Sequence, residues 1–216
     1  MTASATSPPA RSRRRISPIR ATIALAGLGL IVAGLVVLLG PILEVWQHAR
    51  ADSAALQQWK HGGSNALVGA APGSEQANSP SNCAPSTSPS DNYALVTFPS
   101  LGYSGVAGNG DWNVLHQRSM VHYSDTAAPG QKGNVIIAFH REPNYENVDH
   151  LAVSDVVTVQ DRSCHTYTYR ITDRWVIHPQ DVTQLVPTDG HDLTLITCTP
   201  WWRDYDRIVW RASLVA

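Results

Sequence analysis

The sequence lacks most of the patterns that announce an enzyme class. It has three cysteines and nine histidines, but none stands in C-x-x-C or H-E-x-x-H spacing, so a zinc site finds no support. No glycine loop precedes a helix-forming run, which removes the phosphate cradle of nucleotide enzymes. Gly102-Tyr-Ser-Gly105 begins like a nucleophile elbow, yet Val106 stands where the next glycine is needed. There is no internal repeat, which sets aside solenoids and propellers. Long amphipathic helical stretches are missing after residue 92, which sets aside helical bundles. Acidic residues are missing as well from the first 20 positions.

That last absence has a counterpart. Arg11, Arg13, Arg14, Arg15 and Arg20 all lie in the same stretch. Removing those five from the sixteen basic residues leaves eleven against seventeen acidic ones, a net of −6 for the rest of the chain. An acidic remainder offers no basic face to phosphates, so nucleic acid is excluded as a main partner. Directly after the arginines comes Ala21 to Leu43, 23 residues without a charge, enough to cross about 30 Å of hydrocarbon. Basic residues before such a span place the N-terminus in the cytoplasm, and Trp46 beyond it suits the opposite interface. A cleaved signal peptide ending at Ala49-Arg-Ala51 fits less well, because the apolar run exceeds the 7–15 residues of a signal core. The expected layout is a basic tail over 1–20, a single-pass membrane helix over 21–43, a juxtamembrane and linker segment over 44–92, and an extracytoplasmic domain over 93–216.

Within 44–60, Val45, Trp46, Leu56 and Trp59 stand among polar residues, and a short helix acting as a spacer is expected. From His61 to Asn92 the composition turns to Gly, Ser, Pro and Asn, which is linker chemistry. The domain itself shows short β-rich runs: Ala94–Phe98, Val135–Ala138, Val156–Val159, Thr166–Ile171, Trp175–Ile177, Leu193–Thr197 and Ile208–Leu214. Turn signals at Gly102, Gly108-Asn-Gly110, Pro129-Gly130, Asp161-Arg-Ser163 and Asp189-Gly190 separate them. The expectation is all-β, a sandwich or barrel, with at most a helical turn or two between Asp111 and Met120.

The candidate chemistry lies near the C-terminus. The run Leu193-Thr-Leu-Ile-Thr-Cys198-Thr-Pro200 reads as a strand that Pro200 brings to an end, so Cys198 is presented at a strand exit. Arg207 opens the next β-rich run, and His140 follows the strand Val135–Ala138. A thiol attacks only as thiolate and needs a base or a lowered pKa. An imidazole can serve as acid and then as base, and a fixed guanidinium can hold an oxyanion. If Cys198 is the nucleophile it stays free, which leaves Cys83 and Cys164 either as a disulfide or as two thiols.

These motifs resemble those of the sortases, cell-surface cysteine transpeptidases of Gram-positive bacteria. Pro99-Ser-Leu-Gly-Tyr103 is similar to the start of the family's barrel. His122-Tyr-Ser-Asp-Thr-Ala-Ala-Pro-Gly130 with Gly133-Asn134 resembles its H-Y-P-G-T-x-x-P-G…G-N block. Thr194-Leu-Ile-Thr-Cys198 resembles the T-L-x-T-C signature, with Arg207 in the place of the family arginine. The resemblance implies a closed β-barrel of about eight strands, with Cys198 as nucleophile, His140 as general acid/base and Arg207 as oxyanion or substrate-positioning residue. Thr197, Phe139 and Arg211 are expected in substrate binding, Phe139 standing where family members usually carry glycine. The mechanism so implied uses no metal or cofactor. Its expected partners are secreted proteins with an LPxTG-like sorting signal and an amine acceptor such as a peptidoglycan precursor. An aspartate-proline-aromatic lid motif is missing, which fits a housekeeping-like member of class D/E type over the lid-bearing pilus type. A pilin-polymerising enzyme, a cysteine peptidase and a catalytically silent peptide-binding barrel remain alternatives.

Overall fold

The computed structural model describes residues 18–61, 92–201 and 203–215, and the linker expected over 62–91 lies outside them. The chain divides into two compact units, Met1–Leu43 and Glu44–Ala216. Helix α1 runs from Pro18 to His61. In the first unit Leu25, Leu30, Val37 and Leu38 of this helix are exposed. A helix apolar on every side is suited to lipid, and length and composition qualify Leu25–Lys60 as a membrane-crossing candidate.

The second unit is a closed barrel of eight strands in the order β1-β2-β3-β4-β7-β8-β6-β5. The strands are β1 (Ala94–Phe98), β2 (Tyr103–Gly110), β3 (Met120–Tyr123), β4 (Gly133–Phe139), β5 (Val156–Gln160), β6 (Thr166–Ile177), β7 (His191–Thr199) and β8 (Asp206–Leu214). The short helix α2 (Trp112–Leu115) starts at Asp111, whose carboxylate accepts from the Asn113 amide at 2.9 Å. Closure removes the open edges that a small sheet would otherwise expose.

Alternation along each strand sorts side chains between two apolar clusters. Val135, Ile137 and Phe139 of β4, Leu193 and Leu195 of β7, and Ile208, Trp210 and Ala212 of β8 fill the barrel with Phe98, Met120 and Tyr145. Trp210 is fully buried, and its indole N–H donates to the Leu151 carbonyl at 2.9 Å, so its polar atom is satisfied. On the outside, Ala138 of β4, Val121 of β3 and Ile196 of β7 pack beneath Leu115 and Val114 of α2. Strand β4 is therefore covered on both faces, and its unbroken apolar sequence follows from that.

The structure departs from the sequence reading at four places, the first being strand β3 (Met120–Tyr123), which is not among the expected runs. The two runs Thr166–Ile171 and Trp175–Ile177 form one strand, β6, with a register shift between Ile171 and Asp173. Gly108-Asn-Gly110, read as a turn, lies inside β2. One glycine of that strand is set by packing: a Cβ on Gly105 would stand 1.8 Å from the Tyr145 hydroxyl. Finally, Glu44–His61 belongs to the same compact unit as the barrel. Ala55 and Trp59 are buried with Val106 of β2, and the Trp59 indole donates to the Gln160 side chain at 3.0 Å. The segment expected to act as a spacer is docked.

Candidate active site

Three neighbouring strands bring the expected residues into one row. Strands β4 and β7 are parallel, and each pair from Gly133↔His191 to Ala138↔Ile196 is offset by 58 residues. Strand β4 ends at Phe139, and the same offset carried two residues past the last pair brings His140 level with Cys198 at this end of the sheet. On the other side, β7 and β8 are antiparallel with Cys198 directly opposite Arg207. The main chain of His140 is fixed by its N–H, which donates to the Ser119 carbonyl at 2.8 Å. Alternation turns all three side chains outward, on the face that carries Ala138 and Ile196.

There they line one cavity of about 210 Å³, whose apolar wall includes Trp112, Leu115, Ile196 and Leu185. The segment from Pro179 to Leu185 lines its other side and is held by two polar side chains. The Asn134 amide donates to the carbonyls of Gln184 and Val186 at 3.2 and 3.0 Å, while its oxygen accepts from Thr194 at 2.6 Å. Arg211 donates to the Gln184 carbonyl at 3.3 Å. Arg211 thus lies on the same face as Arg207 but supports this segment and does not line the cavity. Neither the segment's place nor the part played by Asn134 was readable from the sequence.

Thr197 and Phe139, expected at the substrate, point the other way. Both side chains are buried, and the Thr197 hydroxyl donates to the Phe139 carbonyl at 2.5 Å. The Phe139 ring packs in the barrel against Phe98 and Tyr145, with centroids 5.8 and 5.6 Å away. Both residues border the cavity, although period-two alternation sends their side chains inward. Phe139 also needs no glycine: among the described residues, the non-glycine ones with positive φ are Asn144, Ser154 and Cys164.

The protonation states follow from burial. Burial pushes the Cys198 thiol up from 9.0; Arg207 and Arg141 oppose the shift, and Asp204 and Glu142 add to it. Burial pushes His140 down from 6.5, helped by the like charges of His48 and His116 and opposed by the Leu115 carbonyl and Glu142. At neutral pH the resting pair is thiol and neutral imidazole. The His140 Nε2 faces the Leu115 carbonyl at 3.1 Å. A carbonyl only accepts, so Nε2 carries the hydrogen and Nδ1 is left to exchange a proton. Arg207 is held by the carbonyls of Asp204 and Asp206 at 2.9 and 3.1 Å. Behind His140, the buried Arg141 pairs with Asp149 at 2.7 Å and donates to the Glu146 carbonyl, which fixes the following loop.

Of the other histidines, His122 is buried between Asn109 and the Ala127 carbonyl and stacks on Tyr93, a structural role. Cys198 is free and Cys164 is disulfide-bonded; Cys83 lies outside the described residues. Among the described residues no group of three His, Cys, Asp or Glu is placed to hold a metal.

Comparison with known proteins identifies the family of the fold. A sortase-domain family model matches residues 96–215. The solved structures similar to the chain include a Clostridium perfringens sortase D5 transpeptidase, at 31% identity and TM-score 0.53, covering 58% of this chain and 80% of that one. Another is sortase C1 of Streptococcus agalactiae, at 25% identity and TM-score 0.55, covering 61% and 71%. Sortase A of Corynebacterium diphtheriae shares the fold at 24% identity and TM-score 0.52, covering 58% and 61%. No curated protein sequence matches the chain. With the family model spanning more than half of its residues and ending one short of Ala216, this chain belongs to the sortase family.

Proposed function

We propose that the protein is a membrane-anchored transpeptidase that cleaves an LPxTG-like sorting signal and joins the released acyl group to an amine of the cell wall. The reading is carried by the single cavity that His140, Cys198 and Arg207 line together, with Cys198 directly opposite Arg207 across β7 and β8. Cys198 loses its proton to His140 Nδ1, and the thiolate attacks the carbonyl carbon between the Thr and Gly of the signal. The carbonyl oxygen becomes an oxyanion beside Arg207, the one cation lining this cavity among the described residues. As the C–N bond breaks, His140 returns its proton to the leaving amine, and the acyl group stays on sulfur as a thioester. An incoming amine then attacks the thioester, His140 accepts its proton, and the thiol is restored. The apolar α1, preceded by arginines, anchors the chain with its N-terminus inside and the barrel outside. A disulfide-bonded Cys164 fits that oxidising side.

The test is to incubate the full chain in detergent with a panel of LPxTG-type peptides and a primary amine, and to weigh the enzyme. A thioacyl adduct on Cys198, absent from Cys198→Ala, and peptide joined to the amine support the reading. Free acid as the main product marks a peptidase, a lysine-bearing pilin segment as the preferred amine marks a polymerising enzyme, and no adduct with any peptide marks a silent barrel.

A further inference from the structure

Two imidazoles hang side by side from the end of α2. The Leu115 carbonyl lies 3.1 Å from Nε2 of His140, and the next carbonyl along, that of His116, lies 3.2 Å from Nε2 of His48. Both nitrogens face acceptors, so both carry hydrogen and the two rings present the same tautomer. The rings are stacked, with centroids 5.6 Å apart and planes 11° from parallel. His48 belongs to α1, 92 positions before its partner, and it does not line the cavity.

The docking of α1 makes this contact a registered one. His48, Asp52, Ala55 and Trp59 follow one another at i, i+4, i+7 and i+11, the spacing of one helix face. Ala55 and Trp59 are buried against Val106, and Trp59 donates to Gln160. Asp52 lies against Ser119, the residue whose carbonyl receives the His140 N–H. One helix face therefore reaches both the ring and the main-chain partner of the same histidine.

We propose that His48 is a positioning residue for His140, so that the juxtamembrane stretch of α1 is a working part of the active site. The inference rests on His140 being the acid/base of the proposed transpeptidation. An imidazole held by one hydrogen bond can still swing about that bond. A flat neighbour on its face limits the swing and keeps Nδ1 directed at the reacting atoms, without touching substrate. Flexible or missing cover would weaken proton transfer more than peptide binding. Charge enters as well: His48 and His116 disfavour the protonated ring, while Glu142, on the chain directly after His140, favours it. Cys198 and Arg207 face it across the shared cavity.

The experiment uses the full chain in detergent micelles and compares wild type, His48→Ala and His48→Phe. His48→Ala should lower kcat about threefold to tenfold with KM for the peptide nearly unchanged. It should also move the acid limb of the pH profile upward by roughly half a unit, since a like charge is gone. His48→Phe, which restores a flat ring, should recover most of the lost kcat. The His140 ring resonances, followed by NMR titration, should lose a ring-current shift and titrate higher in His48→Ala. That reading does not depend on turnover, so an inactive wild type would sink the proposed function while the titration still decides the role of His48. A His48→Ala protein with unchanged kcat, acid limb and His140 titration would overturn the inference.

Discussion

The placement of Phe139 makes a sharp prediction, because its two readings differ in what a substitution should change. As a groove residue it would affect peptide preference; as a core residue it should affect stability. Its ring is 2% exposed and meets Phe98 and Tyr145 inside the barrel. Phe139→Ala should then cost about 3–5 kcal/mol through lost burial and an unfilled cavity. Of that, about 0.5–1.5 kcal/mol reflects each aromatic pairing beyond its area. A small domain has about 5–15 kcal/mol to lose, so the variant should remain folded at low temperature. With an m-value of about 2 kcal/mol per molar urea, its unfolding midpoint should fall by about 2 M. Phe139→Leu, which keeps most of the volume, should fall by less than half as much. The bond from Thr197 reaches the Phe139 main-chain carbonyl, so both variants retain it, and kcat/KM at 10 °C should stay within about threefold of wild type. Phe139→Gly should be worse than alanine by about 1 kcal/mol, since the position needs no glycine conformation. Urea unfolding followed by tryptophan fluorescence, with kinetics on the same peptide panel, measures both quantities. A Phe139→Leu protein of wild-type stability with a tenfold altered peptide preference would refute the core placement.

Other outcomes follow from the row itself. Arg207→Ala should lower kcat by about 10²–10³ through loss of the proposed oxyanion donor, with a smaller change in KM. In the same variant the alkylation of Cys198 by iodoacetamide should need higher pH, since Arg207 draws the thiol pKa down; an unchanged profile would separate the arginine from the thiol. The kcat/KM profile of the wild type should be a broad bell. Its acid limb should fall below 6.5, where His140 is held down, and its alkaline limb above 9.0, where Cys198 is held up. Limbs lying inside those two values would contradict burial as the dominant cause. Gly105→Ala should destabilise by about 1–3 kcal/mol, because the new methyl meets the buried Tyr145 hydroxyl; thermal unfolding measures it, and a neutral result would mean that Tyr145 moves freely.

How far the sequence could be read depends on the range of the interactions involved. Strands such as Ala94–Phe98 and Val156–Gln160 declare themselves because β-branched residues and alternation act over a few positions. Strand β2 does not: glycine usually weakens a strand, and the reason for Gly105 lies 40 residues away at Tyr145. Once Leu193 and Leu195 are known to fill the barrel, alternation alone turns Cys198 outward and Thr197 inward. That His140 and Cys198 line one cavity does not follow in that way, since it needs the 58-residue register between β4 and β7, which no local pattern encodes. Asn134 shows the same limit. It stood in a recognised block, yet its work is to hold the carbonyls of Gln184 and Val186, about 50 residues on. The stripe His48, Asp52, Ala55 and Trp59 was the missed signal within reach. Its spacing marks one helix face, and a helix that only spaces a domain from a membrane has no need of a buried stripe. Reading it would have placed α1 against the barrel and raised the question of what its first residue touches; the answer is the catalytic histidine proposed above.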